Sequence, residues 1–319
     1  MQIIITGAAG FLGQQLAKKI ALSNPFQYAE LLLIDIIEPQ KPINDIRIKC
    51  LKLDISDPNL VNNLINKSTK IVFHLAAIVS SHAEKDFDLG WQINMDSTRN
   101  LLDACRQQNS NIRFVFASTC AVFGGNLPEI VEDMTALNPM GSYGSQKAIC
   151  ELMVNDYSRK GFLDGISLRL PTICIRPGKA NLAASSFVSG IIREPLNGHF
   201  SICPVDKSLA VWISSPETVI NNFVYAATME TNSIVGWRSI NLPGIKITVE
   251  EMLATLQKIA GTNILDFVKF KYDEAINRLV LSWPTEINNE TALKLGFEVD
   301  KNFESFILQY IENEGITLN

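Results

Sequence analysis

The sequence predicts an α/β protein built on a doubly wound parallel sheet, with a smaller C-terminal α+β lobe. Three observations predict it. The chain opens with an apolar β-branched run that breaks at Gly7 and gives way to a helical pattern by Phe11. Further apolar runs, at residues 31–35, 71–77 and 113–118, read as buried strands and alternate with amphipathic helical stretches. Each run ends in polar or small residues (Asp35, Ala76-Ala77, Ser118-Thr119), at the carboxyl tips where open α/β sheets bind ligands.

Composition narrows the function classes. A chain of 319 residues exceeds one small core and predicts two lobes. With 47% hydrophobic and 19% charged residues it reads as an ordinary packed, soluble protein. A net charge of −5 argues against a nucleic-acid or anionic-membrane partner. The six cysteines show no CxxC pair, so they read as free thiols of a reducing cytosol, and the expected location is cytoplasmic. His199 and Cys203 lack a second pair to complete a tetrahedral site, so no metal is expected. No signal peptide and no membrane-spanning run is expected either.

The opening turn runs from Gly7 through Ala9, Gly10, Phe11 and Leu12 to Gly13. Gly7 takes backbone angles closed to other residues. Gly10 lets a pyrophosphate approach the main chain, and Gly13 lets the helix pack against the strand. The helix N–H groups and dipole then hold the phosphates. Leu12, Leu16 and Ile20 form the apolar stripe of that helix. Asp35 lies about 20 residues further on, where such sites place the acid for the ribose hydroxyls. Ile36 and Ile37 follow, with no arginine for a 2′-phosphate, which favours NAD over NADP. A solvated strand-end aspartate is the plain alternative.

Residues 47–53 form a third strand candidate. Asp54, before Ile55, either accepts from an adenine amino group or caps the helix that Asp57 and Pro58 announce. In the fourth run, Leu75, Ala76 and Ala77 suit close approach of a cofactor, and His74 reads as a satisfied core histidine. Ser80, in a loop with Ser81 and His82, is a candidate substrate contact. Residues 87–107 read as one long helix with Asn94 near its start. Ser118 and Thr119 bring hydroxyls to a strand tip facing the ligand crevice. Tyr143 and Lys147, four apart, share a helix face. An ammonium there favours the phenolate and fits the tyrosine for proton transfer near neutral pH.

In this ordered set the chain resembles the short-chain dehydrogenase/reductase superfamily, in its extended, NAD-dependent epimerase/dehydratase branch. The residues that carry the resemblance are Thr6-Gly7-x-x-Gly10-x-x-Gly13, Asp35, Asp54-Ile55, His74-Leu75-Ala76-Ala77, Asn94, Ser118 and Tyr143-x-x-x-Lys147. It implies a Rossmann-type NAD-binding domain over residues 1–165, its sheet completed by a strand at 166–175. Residues 176–319 would form mainly a substrate lobe, with segments returning to the first domain. It implies Tyr143 as proton acceptor, Ser118 as the hydroxyl that orients the reacting oxygen, and Lys147 on the nicotinamide ribose. Pro171, Thr172 and Ile173 would lie against the nicotinamide, and two copies would pair into a homodimer through the Asn94 and Tyr143 helices.

The small-residue stretch at 179–187, with Asn181 and Ser185, suggests a compact polar substrate. Through residue 196 it resembles the D-erythronate dehydrogenase group, which oxidises the 2-hydroxyl of a four-carbon sugar acid. A carboxylate substrate calls for a cation, and Arg176, Lys179 and Arg193 are candidates. Two other functions fit the architecture: a nucleotide-sugar 4-epimerase or dehydratase with tightly bound NAD, and a non-catalytic NAD-binding protein. Further on, residues 217–229 read as a helix. Thr248 and Glu251 form a capping box for a helix to 259, closed by Gly261. Residues 263–272 read as a strand, and 283–296 and 303–310 as the last helices.

Overall fold

The structure is a computed structural model that describes residues 1–108, 111–178, 183–231, 234 and 236–318. In chain order the strands are β1 (Gln2–Thr6), β2 (Glu30–Asp35), β3 (Ile48–Lys52), β4 (Thr69–His74), β5 (Arg113–Thr119) and β6 (Asp164–Leu170). They continue with β7 (Thr172–Ile173), β8 (Ser201–Cys203), β9 (Ala210–Ser214), β10 (Ser239–Asn241), β11 (Ile245–Thr248) and β12 (Val268–Phe270). Seven of these form one sheet in the order β10-β6-β5-β4-β1-β2-β3. The chain runs outward from β1 to β3, then restarts at β4 on the other side of β1. That reversal makes the carboxyl ends of β1 and β4 a topological switch point, the standard ligand position in such sheets. Parallel strands covered on both faces must be apolar throughout, and Ile3, Ile4 and Ile5 are fully buried.

The described chain divides into two compact units. Unit 1 comprises 1–119, 141–169 and 220–240; unit 2 comprises 120–140, 170–219 and 241–319. In unit 1, α1 (Phe11–Ser23) follows the glycine turn and buries Leu16 and Ile20. Then come α2 (Pro58–Leu64), α3 (Ser80–Lys85), α4 (Phe87–Gly90), a π-helical turn (Trp91–Asp96), α5 (Ser97–Gln108) and α6 (Ser142–Arg159). One apolar core joins Ile4, Val72, Leu101, Leu102, Phe114, Phe116 and Val154. An ion cluster closes the far end of β5 and β6: Asp164 accepts from Arg113, Arg238 and Thr231, and these donors hold its carboxyl below the usual range against the cost of burial.

Unit 2 has a three-stranded sheet, β11-β9-β7, and a parallel pair, β12-β8. Its core gathers Val188, Ile191, Ile213, Val249, Met252, Phe306 and Ile307, from α7 (Ser186–Leu196), β9, α9 (Val249–Ala260) and α12 (Phe303–Glu314). α9 opens on the expected capping box and ends at Gly261. Asp300, buried, accepts from Ser214 Oγ, Ser215 N and Thr218 Oγ1, which ties the segment before α12 to the end of β9. Among the described residues no helix is long and apolar enough to cross a membrane.

Several expected elements differ, each for a physical reason. The strand expected over 166–175 breaks at Pro171, which has no N–H to donate. β6 stays in the large sheet and β7 pairs with β9 instead. The long helix expected over 87–107 is three segments, because the π-helical turn interrupts it. Ser80, Ser81 and His82 lie in α3 rather than in a loop. The strand expected over 263–272 is mostly a 3-10 turn, Thr262–Phe267, with only β12 extended. The helix expected over 217–229 is α8 (Pro216–Thr228). The helix expected over 283–296 shrinks to α11 (Glu290–Lys294), since Pro284 and the Asn288-Asn289 pair precede it; an unforeseen helix, α10 (Glu274–Leu281), starts at the side-chain cap of Asp273.

Candidate active site

The site in unit 1 starts with bare backbone. Gly7 has φ +72°, and a Cβ there would stand 2.6 Å from Ala76 N. A Cβ on Gly13 would stand 2.2 Å from Gly7 O and 2.7 Å from Ala8 Cα, so strand and helix approach as closely as main chains can. Gly10 is different: it is exposed, and its Cβ would meet only Gly7 O, at 3.2 Å. It precedes α1 and gives that helix no side-chain cap, so bare main chain fronts the positive end of the helix dipole. Asp35 flanks this cradle. Its carboxylate accepts from Ala9 N (3.0 Å) and Ile37 N (3.2 Å), which fixes the turn and the end of β2 together. A concave backbone cradle, with a positioned carboxylate at the next strand tip, fits a dinucleotide. Ala9, Phe11 and Leu12 are half-buried around it.

Beneath the cradle lies a hydrogen-bond chain. Thr98 Oγ1 donates to Asn94 O (2.7 Å), so it accepts from His74 Nε2 (2.9 Å). His74 Nδ1 then accepts from Thr6 Oγ1 (2.7 Å), and Thr6 Oγ1 accepts from Ala76 N (3.4 Å). His74 is fully buried, and burial first, then the Lys147 charge, pushes its pKa down to about 3. It is the satisfied core histidine that the sequence suggests. Asn94 sits on the π-helical turn and uses both ends of its amide: it accepts from Ile78 N (2.9 Å) and donates to Ile78 O (3.1 Å) and Gln146 Oε1 (2.8 Å). It thereby shapes the segment Leu75-Ala76-Ala77-Ile78 after β4. Asp54 is exposed and accepts from Ser56 N; the helix cap is Asp57, and the Ile55 side chain is in the core.

Tyr143 and Lys147 lie in α6, with Lys147 Nζ 5.7 Å from the Tyr143 ring centroid and 4.5 Å from that of Phe116. Lys147 is 1% exposed and donates to Ala117 O (2.8 Å). Burial pushes its pKa down to about 8, against the fields of Cys150 and Glu151. Tyr143 is half-buried.

Ser118 requires a correction. It is 1% exposed, and its Oγ donates to Glu151 Oε1 at 2.5 Å. Glu151 is fully buried and forms a forked ion pair with Arg169, Nε and Nη2 to the carboxylate at 2.8–3.1 Å. Successive strand residues face opposite ways. Ser118 faces this ion pair, and Thr119, half-buried, is the β5 hydroxyl on the other face. The sequence reading missed Glu151 and Arg169. Their signal was a carboxylate one helical turn beyond Lys147 and an arginine inside the apolar run of β6, charges that stay buried only when paired.

The remaining candidates lie in unit 2. Thr172 and Ile173 form β7, and Pro171 precedes it. Arg176 is half-buried; its N–H donates to Ser189 Oγ (3.0 Å). Arg193 is a structural residue: 4% exposed, it pairs with Glu194 and donates to Arg176 O (2.8 Å). Ser185 stands just before α7. Asn181 and Lys179 lie outside the described residues. Among the described residues no group of three or more His, Cys, Asp or Glu could hold a metal.

Comparison with known proteins follows the same lines. The NAD dependent epimerase/dehydratase family matches over residues 3–226. The D-erythronate dehydrogenase of Haemophilus influenzae is 52% identical over 312 residues, 98% of this chain and 99% of that protein. The D-erythronate dehydrogenase of Cupriavidus necator is 44% identical over 323 residues, 99% of each. A crystal structure described as the nucleoside-diphosphate-sugar epimerase from Agrobacterium tumefaciens is 39% identical with a TM-score of 0.96, covering 100% of this chain and 96% of that one. Cradle, switch-point sheet and the Tyr143/Lys147 pair thus agree with the similarity along the chain, which belongs to the NAD dependent epimerase/dehydratase family.

Proposed function

We propose that this chain oxidises the 2-hydroxyl of a small sugar acid with NAD, of the D-erythronate to 2-oxo-tetronate type. It is an NAD-dependent dehydrogenase. The observation that carries the substrate is the 52% identity, along nearly the whole of both chains, to a protein named D-erythronate dehydrogenase. NAD, when bound, supplies the hydride acceptor. Gly7, Ala9, Gly10, Phe11, Leu12 and Gly13 hold its phosphates, and Asp35 accepts from its adenosine ribose. Leu75, Ala76, Ala77 and Asn94 line the remainder within unit 1, and Pro171, Thr172 and Ile173 are the nicotinamide contacts that the family resemblance implies.

Tyr143 takes the proton of the substrate hydroxyl. Lys147 favours the phenolate by its charge. Thr119 donates to the reacting oxygen in place of Ser118, whose hydroxyl is committed to Glu151. Arg176 draws the substrate carboxylate, with Ser80 and Ser185 as further polar contacts. The protein works in the cytoplasm as a homodimer; Leu152, 54% exposed on α6, supports an apolar pairing face there. A monomer by light scattering would remove the dimer.

The description of the Agrobacterium structure supports a second reading, epimerisation of a nucleotide sugar, which consumes no net NAD. Incubation with NAD and D-erythronate, followed by the absorbance of NADH, separates the two. Steady NADH production is expected. Conversion of a UDP-sugar without net NADH would replace the first reading by the second.

A further inference from the structure

We infer that the buried triad Ser118–Glu151–Arg169 is the positioning device of the Tyr143/Lys147 pair, fastening α6 to the tips of β5 and β6. The geometry is that of a bolt. Ala117 and Ser118 are adjacent on β5, and each grips α6 once: Ala117 O accepts from Lys147 Nζ at 2.8 Å, and Ser118 Oγ donates to Glu151 Oε1 at 2.5 Å. The two gripped residues, Lys147 and Glu151, are one helical turn apart on the same face. From the neighbouring strand β6, Arg169 closes on both carboxylate oxygens of Glu151. All four side chains and carbonyl neighbours sit in a dry region: Ser118, Lys147 and Arg169 are 1% exposed and Glu151 is 0%.

Burial on this scale is costly and is not needed for stability alone, since an apolar pair of equal volume serves a core as well or better. What a fixed ion pair adds is a single arrangement. Here that arrangement sets where the Lys147 ammonium stands relative to the Tyr143 ring, and which β5 hydroxyl faces outward. The Glu151 carboxylate also helps keep Lys147 charged against its burial. The other groups facing Lys147 are Cys150 on α6, which works in the same direction, and His74 on β4, which is neutral. These are positioning residues. None of them is assigned a contact with substrate.

The inference rests on the dehydrogenase reading for its kinetic arm only. Three variants test it: Ser118→Ala, the charge-neutral pair Glu151→Gln with Arg169→Met, and all three together. Circular dichroism first confirms that each is folded. With D-erythronate and NAD, Ser118→Ala is expected to lower kcat by about 3- to 10-fold with the KM for NAD unchanged, and the pair by about 10-fold or more. In the triple variant the serine change adds nothing, because the hydroxyl acts through the carboxylate.

The second arm needs no substrate. The ultraviolet phenolate signal of Tyr143, taken as wild type minus Tyr143→Phe, is titrated with pH. Its midpoint is expected to move upward in the neutral-pair variant, where the Lys147 charge is lost earlier and held less firmly. A purely structural triad would leave that midpoint in place, and an unmoved midpoint overturns the inference. So does a Ser118→Ala loss of 100-fold or more in both backgrounds, which would return the hydroxyl to the substrate. Failure of wild type to reduce NAD with D-erythronate would instead strike the proposed function, leaving the phenolate titration to decide this one.

Discussion

The two ends of the unit 1 site are built on opposite principles. At the β1 tip the protein removes side chains: Gly7 and Gly13 leave main chain against main chain, with no room for a Cβ. At the β5 tip it crowds in the most expensive side chains available, Lys147, Glu151 and Arg169, and buries all three. In the proposed reaction the first end would take up a polyanion on bare main chain at the positive end of a helix dipole. The second end would there hold the proton acceptor in one orientation, with charges that tolerate no missing partner. Fit is enforced by sterics at one end and by electrostatics at the other.

The contrast can be broken at the chemical end first. Tyr143→Phe is expected to lower kcat by at least about 10³-fold while leaving NAD affinity nearly intact, as equilibrium binding and NADH production together would show. Near-normal turnover would detach the phenol from the reaction. Next, Gly13→Ala should separate α1 from β1, costing about 3 kcal/mol in chemical denaturation and weakening NAD together with it. Gly10→Ala sharpens the comparison, because its Cβ meets only one atom at 3.2 Å. It should leave the denaturation midpoint in place and raise the KM for NAD alone. If the two alanines behaved alike, the cradle would be a packing feature and nothing more.

His74 supplies a prediction in pH. Its folded pKa of about 3 lies below its ordinary 6.5, so the unfolded chain binds the proton first. Stability from this group is complete above pH 6.5 and declines as pH falls from 6.5 toward 3. The total is several kcal/mol at most, by about 1.4 kcal/mol per unit. A variant of His74 should flatten that part of the curve; an unchanged slope would show that other groups dominate it. The smallest effect belongs to unit 2. Thr248→Ala removes the α9 capping box and should cost about 1 kcal/mol with kinetics untouched.

The same contrast explains what was legible in the chain. Glycine spacing, Asp35 and the Tyr143/Lys147 interval are local patterns, and the residues stand where the patterns put them. The helix cap at Thr248 and Glu251 is equally local. The direction of the Ser118 hydroxyl was not legible because a strand tip offers two adjacent hydroxyls, and which one turns inward is decided by Glu151 and Arg169, far along the chain. In unit 2 the strands β7, β8 and β12 have two or three residues each, too few for a period to show. There the structure follows tertiary ties such as Asp300 to Ser214 and Thr218, which no window of sequence contains.

The π-helical turn at Trp91–Asp96 has a consequence for how this helix came to be shaped. Such a turn holds one more residue than an α-turn and is less stable than the regular helix it interrupts. Deleting a single residue from it would let α4 and α5 fuse into one uninterrupted rod. The locally better helix would be bought with a rotation of everything upstream by about a quarter turn or more, and Asn94 would swing off both polar atoms of Ile78. The widened turn is thus kept against its own local preference, an inserted step whose return is the grip on the segment after β4.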